Sequence, residues 1–131
     1  MTPYVLFPGN AEEALEFYRG VFGGRLRLHR YAEFGRSDGP ADAIAHGVLD
    51  GPVRFYGSDA GADEDAAQLT GVFFSLLGAS DPETLHRWFG GLAAGGRVLQ
   101  PLEARTWGAH DGQLIDRYGL RWLIGYEQSP G

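Results

Sequence analysis

Four histidines and no cysteine make up the chain's stock of nitrogen and sulfur metal ligands. Any proton transfer or metal binding therefore falls to imidazoles, carboxylates and phenols. His46 stands in Ile44-Ala45-His46-Gly47-Val48, where strand alternation puts Ile44, His46 and Val48 on one face. If that face lines a cleft, the imidazole can take a proton, donate a hydrogen bond or hold a metal, which makes His46 the catalytic candidate. His110, after Trp107-Gly108-Ala109, is the second imidazole of interest. If the two face each other, with Asp116 or Glu103 adding a carboxylate, they form a two-nitrogen metal site. Tyr56, Trp107, His110 and Trp122 are the candidate ligand-binding residues, because aromatic rings give a small-molecule pocket apolar area of fixed shape. Arg54, two residues before Tyr56, could hold a ligand carboxylate. His29, Arg30 and His86 read as surface residues, and Trp88 and Phe89 as core. Ser58, Ser75 and Ser80 lack the glycine-flanked elbow of hydrolase nucleophiles.

The elements that must position these residues are short and occur twice. Tyr4–Phe7 reads as a strand stopped by Pro8-Gly9. Asn10 suits a helix cap, with Glu12 and Glu13 in the first turn. Ala14, Phe17, Tyr18 and Val21 form the apolar stripe, and Gly23-Gly24 the stop. Strands follow at Leu26–Tyr31, Ile44–Leu49 and Val53–Ser58, with Asp50-Gly51 as a hairpin signal between the last two. The acidic, alanine-rich stretch Asp59–Gln68 reads as a connector. The order then repeats. Val72–Leu76 is a strand, Asp81-Pro82-Glu83 starts a helix with the stripe Leu85, Trp88, Phe89 and Leu92, and Gly95-Gly96 ends it. Strands at Val98–Leu102, around His110–Ile115 and at Arg121–Tyr126 complete it, with Asp116–Gly119 as the last turn. Asn10 and Phe17-Tyr18 precede Asp81 and Trp88-Phe89 by the same offset, so the chain reads as a duplicated half-domain. We expect an α+β fold of two tandem βαβββ modules, at about 1–58 and 70–127, joined by a connector at 59–69. Two such modules can form a cupped mixed sheet with the helices outside and a cavity inside.

Composition narrows the function classes. The chain has 131 residues, 44% of them hydrophobic, as expected of one globular domain. A formal net charge of −6 with scattered basic residues argues against nucleic acid and anionic membranes as partners. No apolar run reaches membrane-spanning length and no signal pattern opens the sequence, so cytoplasmic residence is expected.

The stretch from Pro3-Tyr4-Val5-Leu6-Phe7-Pro8-Gly9-Asn10 to Glu16-Phe17-Tyr18 resembles the opening of the PhnB-like branch of the vicinal-oxygen-chelate superfamily, the glyoxalase, bleomycin-resistance and dioxygenase group. Ala45-His46, Trp107-Gly108-Ala109 and Asp116-Arg117-Tyr118-Gly119-Leu120-Arg121-Trp122 extend the resemblance over nearly the whole chain. The resemblance implies paired βαβββ modules, a cup into which the His46 strand face looks, and a homodimer. Enzymes of the wider superfamily hold a divalent metal through His, Glu or Gln at three strand positions. Carried onto this sequence, those positions are Pro3, Val72 and Leu123. None has a donor side chain, so we expect no standard metal centre and no cofactor. His110 stands where relatives more often carry arginine, and Asp111 where they tend to carry an aromatic. PhnB-like sequences are sometimes grouped under a 3-demethylubiquinone methyltransferase name. This chain lacks the strand, glycine-rich turn and helix suited to an adenosyl cofactor. The expected function is metal-independent binding of a small organic molecule in the cup. The alternative is a metal-dependent lyase, isomerase or dioxygenase with a relocated site around His46.

Overall fold

The computed structural model describes residues 1–127, which fall into two compact units, Met1–Ala67 and the chain from Gln68 on. The first unit runs β1 (Tyr4–Phe7), α1 (Ala11–Phe22), β2 (Arg25–Arg30), a 3₁₀ turn (Tyr31–Phe34), β3 (Ile44–Asp50) and β4 (Phe55–Asp59). The second runs β5 (Phe74–Leu77), α2 (Pro82–Ala93), β6 (Arg97–Ala104), β7 (Ala109–Ile115) and β8 (Arg121–Glu127). Each unit is one four-stranded mixed sheet with one helix. The strand orders are β1-β4-β3-β2 and β5-β8-β7-β6, with the first-named pair parallel and the others antiparallel. The duplicated βαβββ order is therefore real, and the fold is α+β. Among the described residues no helix is long and apolar enough to cross a membrane.

Helix α1 buries Ala11, Ala14, Leu15, Tyr18 and Phe22, one face at helical spacing. Phe17 and Val21, expected on that stripe, are only half-buried at its flank. Under the helix lie Val5, Phe7, Leu49 and Phe55, with the Tyr18 and Phe55 rings stacked at 4.8 Å. Gly47 is where β3 passes closest to α1: a Cβ there would lie 2.4 Å from Leu15 Cδ1. In the second unit Leu85, Trp88, Phe89 and Leu92 cover Leu114, Trp122 and Ile124. Fully burying a side chain of this size contributes about 1.5–3 kcal/mol, which makes these faces the main source of stability.

Several local expectations change. The Asp50-Gly51 hairpin forms, but its connection is four residues long, since β3 ends at Asp50 and β4 starts at Phe55. Gly51 is not in the left-handed region. Glycine is needed there because a Cβ would lie 2.8 Å from the Gly23 carbonyl oxygen and from Gly24 Cα. Tyr31 leaves β2 to open the 3₁₀ turn, and its hydroxyl donates to the Asp59 carbonyl at 2.6 Å. The segment read as a connector begins inside β4 and stays with the first unit as far as Ala67, while Gln68 and Leu69 fall in the second. Ala60 and Ala67 donate to the carbonyls of Phe7 and Leu6, and Ala62 to that of Asp38.

The two helix starts differ. Asp81 caps α2 as its sequence suggests, accepting from the Thr84 amide at 3.0 Å and the Thr84 hydroxyl at 2.7 Å. These bonds hold its carboxyl below the ordinary value of 3.8. A depressed carboxylate pKa stabilises the fold above the unfolded value, and the contribution is lost as pH falls through the folded one. Asp81→Ala is therefore expected to lower the urea midpoint at neutral pH, and the gap to the parent should close in strong acid. An equal gap at every pH would show that the cap acts without its charge. Asn10, the expected cap of α1, makes no side-chain cap bond, and its Oδ1 is buried without a partner. Asp59, from the end of β4, does the work instead. Its carboxylate is 4% exposed and accepts from the Ala11 and Ile44 amides, each at 2.8 Å.

Candidate functional site

In the first unit, the sheet face away from α1 carries an aromatic cluster. Val5 and Phe7 point to the helix, so period-two alternation turns Tyr4 and Leu6 to the other side. Tyr4 on β1 is in register with Tyr56 on β4, Tyr56 with Val48 on β3, and Val48 with Arg27 on β2. One row across the sheet thus reads Tyr4, Tyr56, Val48, Arg27. His46 belongs to the neighbouring row, opposite His29.

His46 does not share its face with Ile44, as simple alternation would have it. β2 and β3 shift register between His29 and Arg30, so Ala45 is an extra residue opposite none. That bulge buries Ile44, at 1% exposure, while His46 and Val48 stay half-exposed on the open face. His46 Nδ1 is 3.1 Å from the Tyr4 hydroxyl. The Tyr4 and His46 rings stack at 5.6 Å and 22°, and Tyr56 closes the group at 6.3 Å from Tyr4 and 5.9 Å from His46. His29 lies parallel to His46 at 6.5 Å, with Phe34 at its edge.

This arrangement prepares His46 for two kinds of work. When the Tyr4 hydroxyl donates to Nδ1, the neutral imidazole carries its proton on Nε2 and offers a donor. When Nδ1–H donates to the phenol oxygen, Nε2 offers a lone pair that takes a proton. In either case one nitrogen is held and the other is left for a ligand. Arg27 has no hydrogen-bond or ion-pair partner among the described residues, whereas Arg54 is paired with Asp50 at 3.2 Å.

The other sequence candidates lie in the second unit and divide. Trp122 is 1% exposed, packs on Phe74 and donates through Nε1 to Asp116 at 2.9 Å, so it is part of the core. Asp116 is 3% exposed and also accepts from the Tyr118 and Leu120 amides, a full set for a carboxylate in a turn. Glu103 pairs with Arg105 at 3.6 Å. His110 pairs across the sheet with Tyr126, on the α2 side of β7 and β8. Trp107, at 72% exposure, sits on the turn before β7 and lines a cavity of about 180 Å³ with Gly108, Ala109 and Glu127. Sequence reasoning passed over Tyr4 and His29. The alternation of β1 was enough to find Tyr4, but His29 needed the strand pairing.

A cavity of about 490 Å³ lies at the start of α1, where Asn10, Glu12, Tyr31, Asp42 and Asp59 reach its wall. Glu12 is held there by two 3.0 Å bonds from Arg30, which lower its pKa. At the positions onto which the resemblance carries the metal ligands, Pro3 offers only its carbonyl, which accepts from the Tyr56 amide at 3.0 Å. Val72 is exposed and Leu123 pairs with Ser75 and Gln113. These residues do not fit a resident metal, and among the described residues no three His, Asp or Glu side chains stand close enough to hold one.

The sequence profile of the Glyoxalase/Bleomycin resistance protein/Dioxygenase superfamily matches residues 1–124. The chain belongs to this superfamily. Protein YjdN of Escherichia coli is 28% identical over 142 residues, covering 95% of this chain and 92% of that relative. Protein PA1353 of Pseudomonas aeruginosa is a solved structure 32% identical, with a TM-score of 0.79 over 98% of both chains. A Bacillus cereus structure described as a putative 3-demethylubiquinone-9 3-methyltransferase, PhnB protein, matches at 24% identity and a TM-score of 0.77, covering 96% of this chain and 98% of that one. That last likeness shows the fold. The PhnB-like resemblance of the sequence thus sits within a superfamily whose βαβββ units this chain repeats, and a shared fold leaves the reaction open.

Proposed function

We propose that the protein binds a small planar organic molecule on the open sheet face of its first unit, without a metal, and that His46 is the polar contact. The observation that supports this reading is the Tyr4–His46–Tyr56 cluster, in which one imidazole nitrogen is tied to Tyr4, the Tyr4 and His46 rings lie near-parallel at 22°, and Tyr56 stands across them at 71° and 55° as an aromatic side wall. Half-exposed aromatic rings that have no helix over them are costly to leave in water and suit a stacking ligand. The absence of donor side chains at Pro3, Val72 and Leu123 supports the metal-free part of the reading. Tyr56 remains a candidate ligand contact; Trp107 belongs to the second unit, and Trp122 is left out because its indole is enclosed and bonded.

The test is a titration of the protein with indole, quinoline and 2-naphthoate, followed by NMR shifts of the His46 imidazole and the Tyr4 and Tyr56 rings. At least one probe should move all three saturably. Tyr56→Ala and His46→Ala should each weaken it about tenfold while thermal midpoints stay within a few degrees. No saturable shift at these rings would end the proposal. Elemental analysis of protein purified without chelators completes it. A near-stoichiometric first-row metal on which binding depends would replace this reading with a metal-dependent lyase, isomerase or dioxygenase centred on His46.

A further inference from the structure

The α2-covered face of β7 and β8 continues past its apolar floor into a polar end. Leu114 opposite Trp122 and Gly112 opposite Ile124 form the floor, and the next pair on that face is His110 opposite Tyr126. The His110 and Tyr126 rings lie parallel, 4.7 Å apart at 9°. The Tyr126 hydroxyl is 2.9 Å from Nε2 of His86 on α2, which fixes the phenol ring. His110 Nδ1 is buried and has no hydrogen-bond partner among the described residues. A buried polar atom in that state costs about 1–3 kcal/mol unless something satisfies it.

A cavity of about 460 Å³ opens beside this stack, at the end of the sheet where β5 and β8 finish and β7 begins. That volume is within the range of small-molecule sites. His110, Tyr126, Asp111, Glu127 and Leu77 reach its wall, and no lysine or arginine does. The Asp111 carboxylate is taken by Arg105 Nε at 2.8 Å. Glu127 has no basic partner among the described residues. The cavity wall therefore holds two ring systems and one carboxylate that lacks a counter-charge, and the imidazole in that wall keeps one enclosed nitrogen without a partner among the described residues.

We infer that this cavity is a binding site for a small organic cation, an amine protonated at neutral pH and carried on a flat apolar skeleton. An ammonium group only donates, so it can satisfy a His110 Nδ1 lone pair and the Glu127 carboxylate together. The Tyr126 face adds a cation–π contact, and Leu77 an apolar wall. A carboxylate ligand meets Glu127 with like charge and finds no cation to hold it. The site belongs to the second unit, and the inference does not rest on the Tyr4–His46–Tyr56 reading.

Benzylammonium, benzyl alcohol and benzoate share one skeleton and differ in charge, so they are the probes. Each is titrated into the full chain while long-range ¹H–¹⁵N spectra follow the imidazole nitrogens. Benzylammonium should shift His110 Nδ1 saturably and bind at least about fivefold more tightly than benzyl alcohol, and benzoate should leave His110 unmoved. His110→Phe keeps a ring against Tyr126, and Glu127→Gln keeps an exposed side chain of the same size. Each should weaken benzylammonium about fivefold; the thermal midpoint should hold in Glu127→Gln and hold or rise in His110→Phe, which removes the unpartnered nitrogen. Binding of benzoate or benzyl alcohol as tight as that of benzylammonium overturns the inference. So does an unchanged affinity in Glu127→Gln, or the absence of a His110 shift. A shift of His46 alone would place the cation on the other surface, overturning this site and leaving the first proposal standing.

Discussion

Asp59→Ala is expected to lower stability by about 3–5 kcal/mol and the thermal midpoint by roughly 10–20 °C. The carboxylate is buried and takes the Ala11 amide on one oxygen and the Ile44 amide on the other. Removing it strands both donors at about 1–3 kcal/mol each, and takes a negative charge from the N-terminal end of α1. No neighbouring group replaces it, since Asn10 makes no cap bond. Asp59→Asn keeps one acceptor and should lose about half as much. Urea unfolding of the three proteins decides the matter. A loss below about 1 kcal/mol would mean that water from the adjoining cavity already serves both amides. The effect reaches the candidate site, because Ile44 begins β3 two residues before His46. Loosening that strand should move the His46 and Tyr4 resonances even in Asp59→Asn.

Asp116→Ala is expected to cost a comparable 3–5 kcal/mol by a different route. Here one carboxylate serves the Tyr118 and Leu120 amides and the Trp122 indole, so it closes the β7–β8 turn and anchors the largest fully buried side chain of the second unit. A double-mutant cycle with Trp122→Phe isolates the indole bond. If Asp116 is held in place chiefly by that bond, the two losses should fall short of additive by about 1 kcal/mol or more. Simple additivity would assign the aspartate's role to the two backbone amides. Trp122 fluorescence should also move to longer wavelength in Asp116→Ala as the indole gains water.

The two aspartates show how far a duplicated sequence can be read. The repeat is carried by local signals: Asp81-Pro82-Glu83, the apolar stripes and the paired glycines all act within a few residues, and all are legible in the chain. Asp59 was not legible. It lies in an acidic stretch with the composition of a solvated loop, and its partners are 48 and 15 residues away. Asp116 could be read as a turn residue, yet its bond to Trp122 turned a candidate ligand wall into core. The sequence-level stripe Ala14, Phe17, Tyr18 and Val21 was close to the buried face, and the difference arose because Leu15 and Phe22 meet the sheet more squarely.

The candidate sites divide in the same way. That His46 is a strand residue and that Pro3, Val72 and Leu123 have no donor side chains follow from residue type and order. These depend on side-chain chemistry and on periods of two and 3.6 residues, which any local stretch of chain expresses. Which rings meet was decided by pairing between strands. A bulge at Ala45 turned His46 away from Ile44, register brought Tyr4 from β1 and Tyr56 from β4 to it, and the β7–β8 register placed His110 on Tyr126 beneath α2. A single extra residue in one strand reverses the faces on either side of it, and its cost is set by partners distant in sequence. The composition of a site was therefore written locally, and its geometry only in the folded sheet.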